Sequence, residues 1–168
     1  MCRRLVHARD VACPRDEGPL EHDVPVEAFE TGGGCHLDAR QVAVSIDALD
    51  LAGTDLLFIE NVGNLVCPSS FDLGETLKVV LMSVTEGEDK LLEYPSAFRR
   101  AGALVLTKVD LVPYLQFSEE EVLENARSIN PDLEMFSTSC FTDQGLEAWA
   151  AWLADRAAAA KERARRDR

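Results

Sequence analysis

Residues 103–111 read ALVLTKVDL, an unbroken apolar run that gives way at once to a polar Thr-Lys-x-Asp turn. A strand with one wet face alternates apolar and polar residues. A strand apolar at successive positions needs both faces covered, as in the centre of a parallel sheet. Four further runs carry the same signature: VPVEAF (24–29), DLLFIE (55–60), LKVVLMSV (77–84) and LEMFSTS (133–139).

The segments between them change period. Leu37, Val42, Ile46 and Leu49 fall on one face of a helix over 37–51. Ser118-Glu119-Glu120-Glu121 opens a second helix as a capping box, and Asn130-Pro131 ends it. Thr142 starts the last helix, where Leu146, Trp149, Leu153 and Ala157 recur at helical spacing and the two tryptophans are expected to anchor the core. Pro95 divides 88–101, so a short helix or turn is expected before it. The alternation predicts the α/β class, with a mostly parallel sheet flanked by helices. The expected organisation is an irregular arm over 1–23, one domain over 24–155 and a charged helix end or tail over 156–168.

Composition narrows the classes of function. The net charge of −13 repels phosphate backbones, so nucleic acid is not an expected partner. No stretch approaches the roughly 18 apolar residues that would suggest a membrane span. The basic MCRRLVHARD start lacks the apolar segment of a secretory signal, so the cytoplasm is the expected compartment. Six of the 17 basic residues cluster in RAAAAKERARRDR (156–168), which reads as a solvated helix end suited to the negative pole of the macrodipole. Cysteines at 2, 13, 35, 67 and 140 make an odd number, which argues against a disulfide framework. They are then small buried hydrophobes or metal ligands.

In an open parallel sheet, ligands collect beyond the carboxyl ends of the strands. Thr107-Lys108-Val109-Asp110 occupies such a loop and is close to the Asn-Lys-x-Asp element of GTP-binding proteins. A carboxylate at Asp110 accepts both donors of guanine's Watson–Crick edge, which adenine does not offer together. The Lys108 stem lies along the base, and Thr107 has a hydroxyl where the element has an amide. An ordinary polar turn has the same residue types. Ser139-Cys140-Phe141 follows the fifth run and resembles the Ser-Ala-Lys loop that reads guanine's carbonyl through a backbone N–H. Cys140 takes the small Ala position, where packing is the expected role.

Glu60 closes the second run, with Gly63 three residues on. The acid suits a magnesium-bound water, and a residue without Cβ lets a terminal phosphate approach the backbone. A strand-ending acid at a turn is the plainer alternative. No G-x-x-x-x-G-K-[ST] precedes Glu60, and Thr31-Gly32-Gly33-Gly34 has no lysine after it.

Cys35 and His36 follow that glycine run, and Cys67 lies in the loop after the second run, so both loops are expected at one sheet edge. Two thiolates and an imidazole suit zinc or nickel, and three protein ligands leave a position open for exchange or for a second subunit. A helix-start pair with His36 satisfied by backbone is the alternative.

Taken together, TGGGCHLDA (31–39), ENVGNLVCP (60–68), FDLGE (71–75), SVTEGEDK (83–90) and TKVDL (107–111) resemble the hydrogenase nickel-incorporation accessory GTPases, the HypB family, over residues 24–153. The resemblance implies a P-loop NTPase fold of the SIMIBI type and GTP with Mg2+ as nucleotide. It implies Ni2+ or Zn2+ at Cys35, His36 and Cys67 on a homodimer interface. Glu60 and Gly63 become the γ-phosphate switch. Thr107, Lys108, Asp110, Ser139 and Cys140 become the base-reading set. A HypA-type metallochaperone and the [NiFe]-hydrogenase large subunit become partners. The family's phosphate loop belongs ahead of residue 24, so the sequence reads as an N-terminally truncated form of reduced solubility. A non-hydrolysing nickel- or zinc-binding dimerisation module is the second expectation.

Overall fold

The computed structural model describes residues 4–9, 26–30, 36–49, 51, 54–61, 63, 65–66 and 71–167. The chain divides into two compact units, Met1–Gly74 and Glu75–Arg168.

In the first unit, β1 (Arg4–Arg9) pairs in parallel with β2 (Val26–Glu30) on one side and β3 (Leu57–Glu60) on the other. The strand at Arg4–Arg9 was not expected, because RLVHAR is too short and too mixed to show a period. The register sets Arg9 beside Glu30 and His7 beside Glu60, so the loops after β2 and β3 leave the same edge. Between them runs α1 (Ala39–Ala48), opened by a reciprocal capping box of Asp38 and Gln41. Its Val42 is buried with Leu37, and Ile46, Ile59 and Leu73 pack against that pair.

In the second unit, β5 (Ala103–Thr107) is central, paired in parallel with β4 (Val79–Ser83) and β6 (Glu134–Ser137). Ala103, Leu104, Val105 and Leu106 are all buried, as the unbroken apolar run requires. A short helix precedes Pro95 as expected, α2 (Lys90–Glu93), and a second, α3 (Pro95–Arg99), begins with the proline in its first turn. α3 contributes the fully buried Phe98, a side chain whose burial stabilises by roughly 1.5–3 kcal/mol. Asn130 holds the exit of α3, its Nδ2 donating to the carbonyls of Phe98 at 3.1 Å and Ala101 at 2.9 Å.

Two local expectations are corrected. Ser118 caps α4 (Glu119–Ile129) by accepting the Glu121 N–H at 3.2 Å, but the return half of the box comes from elsewhere. The Ser118 N–H donates instead to Glu88 Oε1 at 2.7 Å, which ties the loop after β4 to the start of α4. The last helix, α5 (Leu146–Arg166), begins four residues after Thr142, because Gly145 at φ 71° and Asp143 at φ 60° hold the preceding residues in a turn. Neither tryptophan of α5 is fully buried. Trp149 and Trp152 pack on Phe136 with ring centroids 5.2 and 5.3 Å away and stack on each other at 5.5 Å. They fasten the helix to β6 as a half-exposed aromatic cluster. The α/β expectation, with parallel strands flanked by helices, is borne out.

Candidate functional site

The β4–β5 and β5–β6 registers set Ser83 beside Thr107 and Leu106 beside Ser137. The loops carrying Lys108–Asp110 and Ser139–Thr142 therefore leave one edge of the second unit's sheet.

Thr138 couples these loops at their roots. Its N–H and its hydroxyl both donate to the Leu106 carbonyl, at 2.7 and 2.9 Å, and its own carbonyl accepts the Val109 N–H at 3.2 Å. Lys108 is exposed and left-handed at φ 61° and ψ 35°, which turns the chain sharply out of β5. The Thr107 hydroxyl is directed back at the Met82 carbonyl, at 3.5 Å.

Beyond Thr138, the fully buried Ser139 donates its hydroxyl proton to Asp110 Oδ1 at 2.5 Å. Ser139 Oγ also accepts the N–H groups of Phe141 at 3.1 Å and Thr142 at 3.2 Å. The Ser139 N–H closes the turn on the Gln144 carbonyl at 3.0 Å. A carboxylate offers about four lone-pair sites, so the bond from Ser139 orients Asp110 and leaves capacity for two donors from a base edge. Cys140 is an exposed free thiol, which replaces the packing role expected of it.

In the first unit, the half-buried His36 imidazole stacks on Phe71, with centroids 3.8 Å apart and planes inclined by 15°. The next residue, Leu37, donates its N–H to Asn61 Oδ1 at 2.9 Å. Asn61 adjoins Glu60, an exposed carboxylate at the end of β3, so the His36 and Glu60 loops are fastened together. Its oxygens are donors of the hard type that magnesium takes. A Cβ at Gly63 would meet nothing within 4 Å, so the backbone there is open to close approach. Cys35 and Cys67 lie outside the described residues. Among the described residues, no group of three or more His, Cys, Asp and Glu is placed to hold a metal ion.

Asn61 and Phe71 were not singled out as functional by sequence reasoning. Both sit inside quoted motifs, ENVGN and FDLGE, but no spacing rule pairs them with residues 24 or 35 positions earlier. Thr138 was hidden within the run 133–139.

Residues 10–137 match the family described as CobW/HypB/UreG, nucleotide-binding domain. The hydrogenase maturation factor HypB of Escherichia coli K12 is 50% identical over 129 residues, covering 77% of this chain and 44% of that protein. HypB of Azotobacter vinelandii is 49% identical over 157 residues, covering 89% of this chain and 52% of its own length. The crystal structure of HypB from Helicobacter pylori in complex with nickel superposes with a TM-score of 0.84 at 35% identity, covering 93% of this chain and 75% of that one. The chain belongs to the HypB family. It spans about half the length of the curated HypB relatives it matches. The superposition with HypB places it in the P-loop NTPase class of α/β folds. No helix among the described residues is long and apolar enough to cross a membrane.

Proposed function

We propose that this chain is the guanine-recognising and metal-handling part of a nickel-delivery factor for maturation of the [NiFe]-hydrogenase large subunit. The observation that carries the reading is the hydrogen bond from Ser139 to Asp110, which joins two loops into one base-reading edge. Asp110 accepts the guanine edge, Lys108 lies along the base, and Thr107, Ser139 and Cys140 frame the loops. Glu60 and Gly63 face the terminal phosphate. Magnesium, when bound with GTP, supplies charge neutralisation at that phosphate. Nickel, or zinc in its place, is the cargo of Cys35, His36 and Cys67. A homodimer forms around that cargo in the cytoplasm, with a HypA-type metallochaperone and the hydrogenase large subunit as partners. GTP hydrolysis drives the handover.

One observation favours a second reading. The 168 residues contain no G-x-x-x-x-G-K-[ST], the sequence that cradles phosphates and supplies the magnesium-binding hydroxyl. On this reading the chain is a non-hydrolysing module that binds metal and dimerises.

Titration of the full chain with guanine and adenine nucleotides separates the readings when paired with a turnover assay. Preferential guanine binding lost in Asp110→Ala supports base recognition, and equal binding of both bases overturns it. Robust turnover sensitive to Asp110→Ala removes the second reading. For the cargo, nickel or zinc titration of Cys35→Ala and Cys67→Ala should show weakened binding. Unchanged affinity in both removes the metal site.

A further inference from the structure

Phe141 is 89% exposed, an apolar ring left almost wholly in water. Its position is not that of a loose loop tip. The Phe141 N–H donates to Ser139 Oγ, and that hydroxyl donates in turn to Asp110 Oδ1. Phe141 is therefore one shared hydroxyl away from the carboxylate assigned to the guanine edge. The surrounding turn is fixed on both sides: the Thr142 N–H donates to Ser139 Oγ, the Gln144 carbonyl accepts the Ser139 N–H, and Asp143 and Gly145 hold left-handed backbone. A turn held in this way presents the ring from an ordered backbone, so binding does not have to order the loop as well.

We infer that Phe141 is a base-stacking residue that forms one face of the purine site. The inference rests on the base-reading role of Asp110. A base held along its edge by a carboxylate still exposes two flat faces. An aromatic ring carried by the loop next to that carboxylate is suited to cover one of them whatever the pattern of donors on the base. Lys108, exposed on the neighbouring loop, can lay its stem along the base. Edge recognition by Asp110 then sets which base is bound, and stacking on Phe141 sets how tightly.

The test is equilibrium titration of the full chain with methylanthraniloyl-GDP, comparing the parent with Phe141→Ala, Phe141→Leu and Phe141→Trp. Phe141→Ala should bind roughly ten-fold more weakly, the size of a single lost stacking contact. Phe141→Trp should stay within about two-fold of the parent, and Phe141→Leu should fall between the two. All three should melt with the parent, since an exposed ring contributes little to folding; a fall in melting temperature that tracks the affinity assigns Phe141 a structural role and overturns the inference. Unchanged affinity in Phe141→Ala also overturns it and leaves the ring to a protein partner. Those two outcomes leave the Asp110 reading intact. If Asp110→Ala binds the nucleotide as well as the parent does, the base-reading site itself falls, and Phe141 with it.

Discussion

Ser139 Oγ donates to Asp110 Oδ1 across 29 positions of sequence while accepting two N–H groups from its own turn. One buried hydroxyl thus fixes both the direction of a carboxylate and the shape of the loop beside it. Ser139→Ala leaves the Phe141 and Thr142 N–H groups without that acceptor and Asp110 without its guide. The expected cost is about 1–3 kcal/mol in a denaturant melt. Guanine-nucleotide affinity is expected to drop roughly ten-fold in the same protein. A variant that melts lower yet binds normally would show that Ser139 shapes the turn without orienting Asp110.

Asp110→Asn exchanges an acceptor pair for one acceptor and one amide donor. The donor faces guanine's exocyclic amine unfavourably but suits the carbonyl that xanthine carries at the same position. The variant is expected to lose GDP affinity and gain XDP affinity, measured by competition titration with both nucleotides. Parallel losses for both bases would place Asp110 outside the base edge.

Gly145 and Gly87 both have positive φ, at 71° and 85°, but differ in their surroundings. A Cβ on Gly145 would lie 2.1 Å from the Ser137 carbonyl oxygen, whereas one on Gly87 would meet nothing within 4 Å. Gly87→Ala carries backbone strain alone, about 2 kcal/mol at a φ of 85° and ψ of 161° that glycine populates almost exclusively. Gly145→Ala combines left-handed strain with a clash against main chain and is expected to cost more than Gly87→Ala, above about 3 kcal/mol. Melting temperatures of the two variants, side by side, check the ordering.

Asn130→Ala removes both hydrogen bonds to the Phe98 and Ala101 carbonyls, as well as the Asn130 Oδ1 acceptor for the Asp132 N–H. The Ala101 carbonyl loses the Asn130 donor, while the Phe98 carbonyl keeps the Ala101 N–H at 3.2 Å. The expected destabilisation is about 2 kcal/mol, read from the denaturant midpoint at unchanged slope.

The strands were legible because their apolar runs stand out from the polar segments around them, although burial on both faces holds for β5 and not for β4, whose Leu81 is exposed. Ala103–Leu106 is the clearest case, and all five strands expected from such runs were found. The start of α5 was misjudged because Thr142 has the composition of a cap, while the actual boundary is set by two left-handed residues, Asp143 and Gly145. Propensity sees residue type; the turn is held by Ser139, which becomes a neighbour only once β6 is in place. The same limit applies to the candidate site. Asp110 and Ser139 were each visible as members of loops after successive strands, but the bond between them depends on register. Glu88 gave no sign of reaching Ser118, thirty residues on. Asn61 gave none of accepting from Leu37. Arg4–Arg9 was missed because six residues with three apolar ones carry no usable period.

The left-handed backbone of Lys108 sets stability against the base-binding role proposed for the same residue. A side chain with a Cβ pays about 1–2 kcal/mol to remain there, and glycine would not. Lys108→Gly is therefore expected to raise the melting temperature while weakening guanine binding. Laboratory evolution for heat resistance alone would discard this lysine early, and its return under selection for nucleotide binding would mark what the strain is kept for.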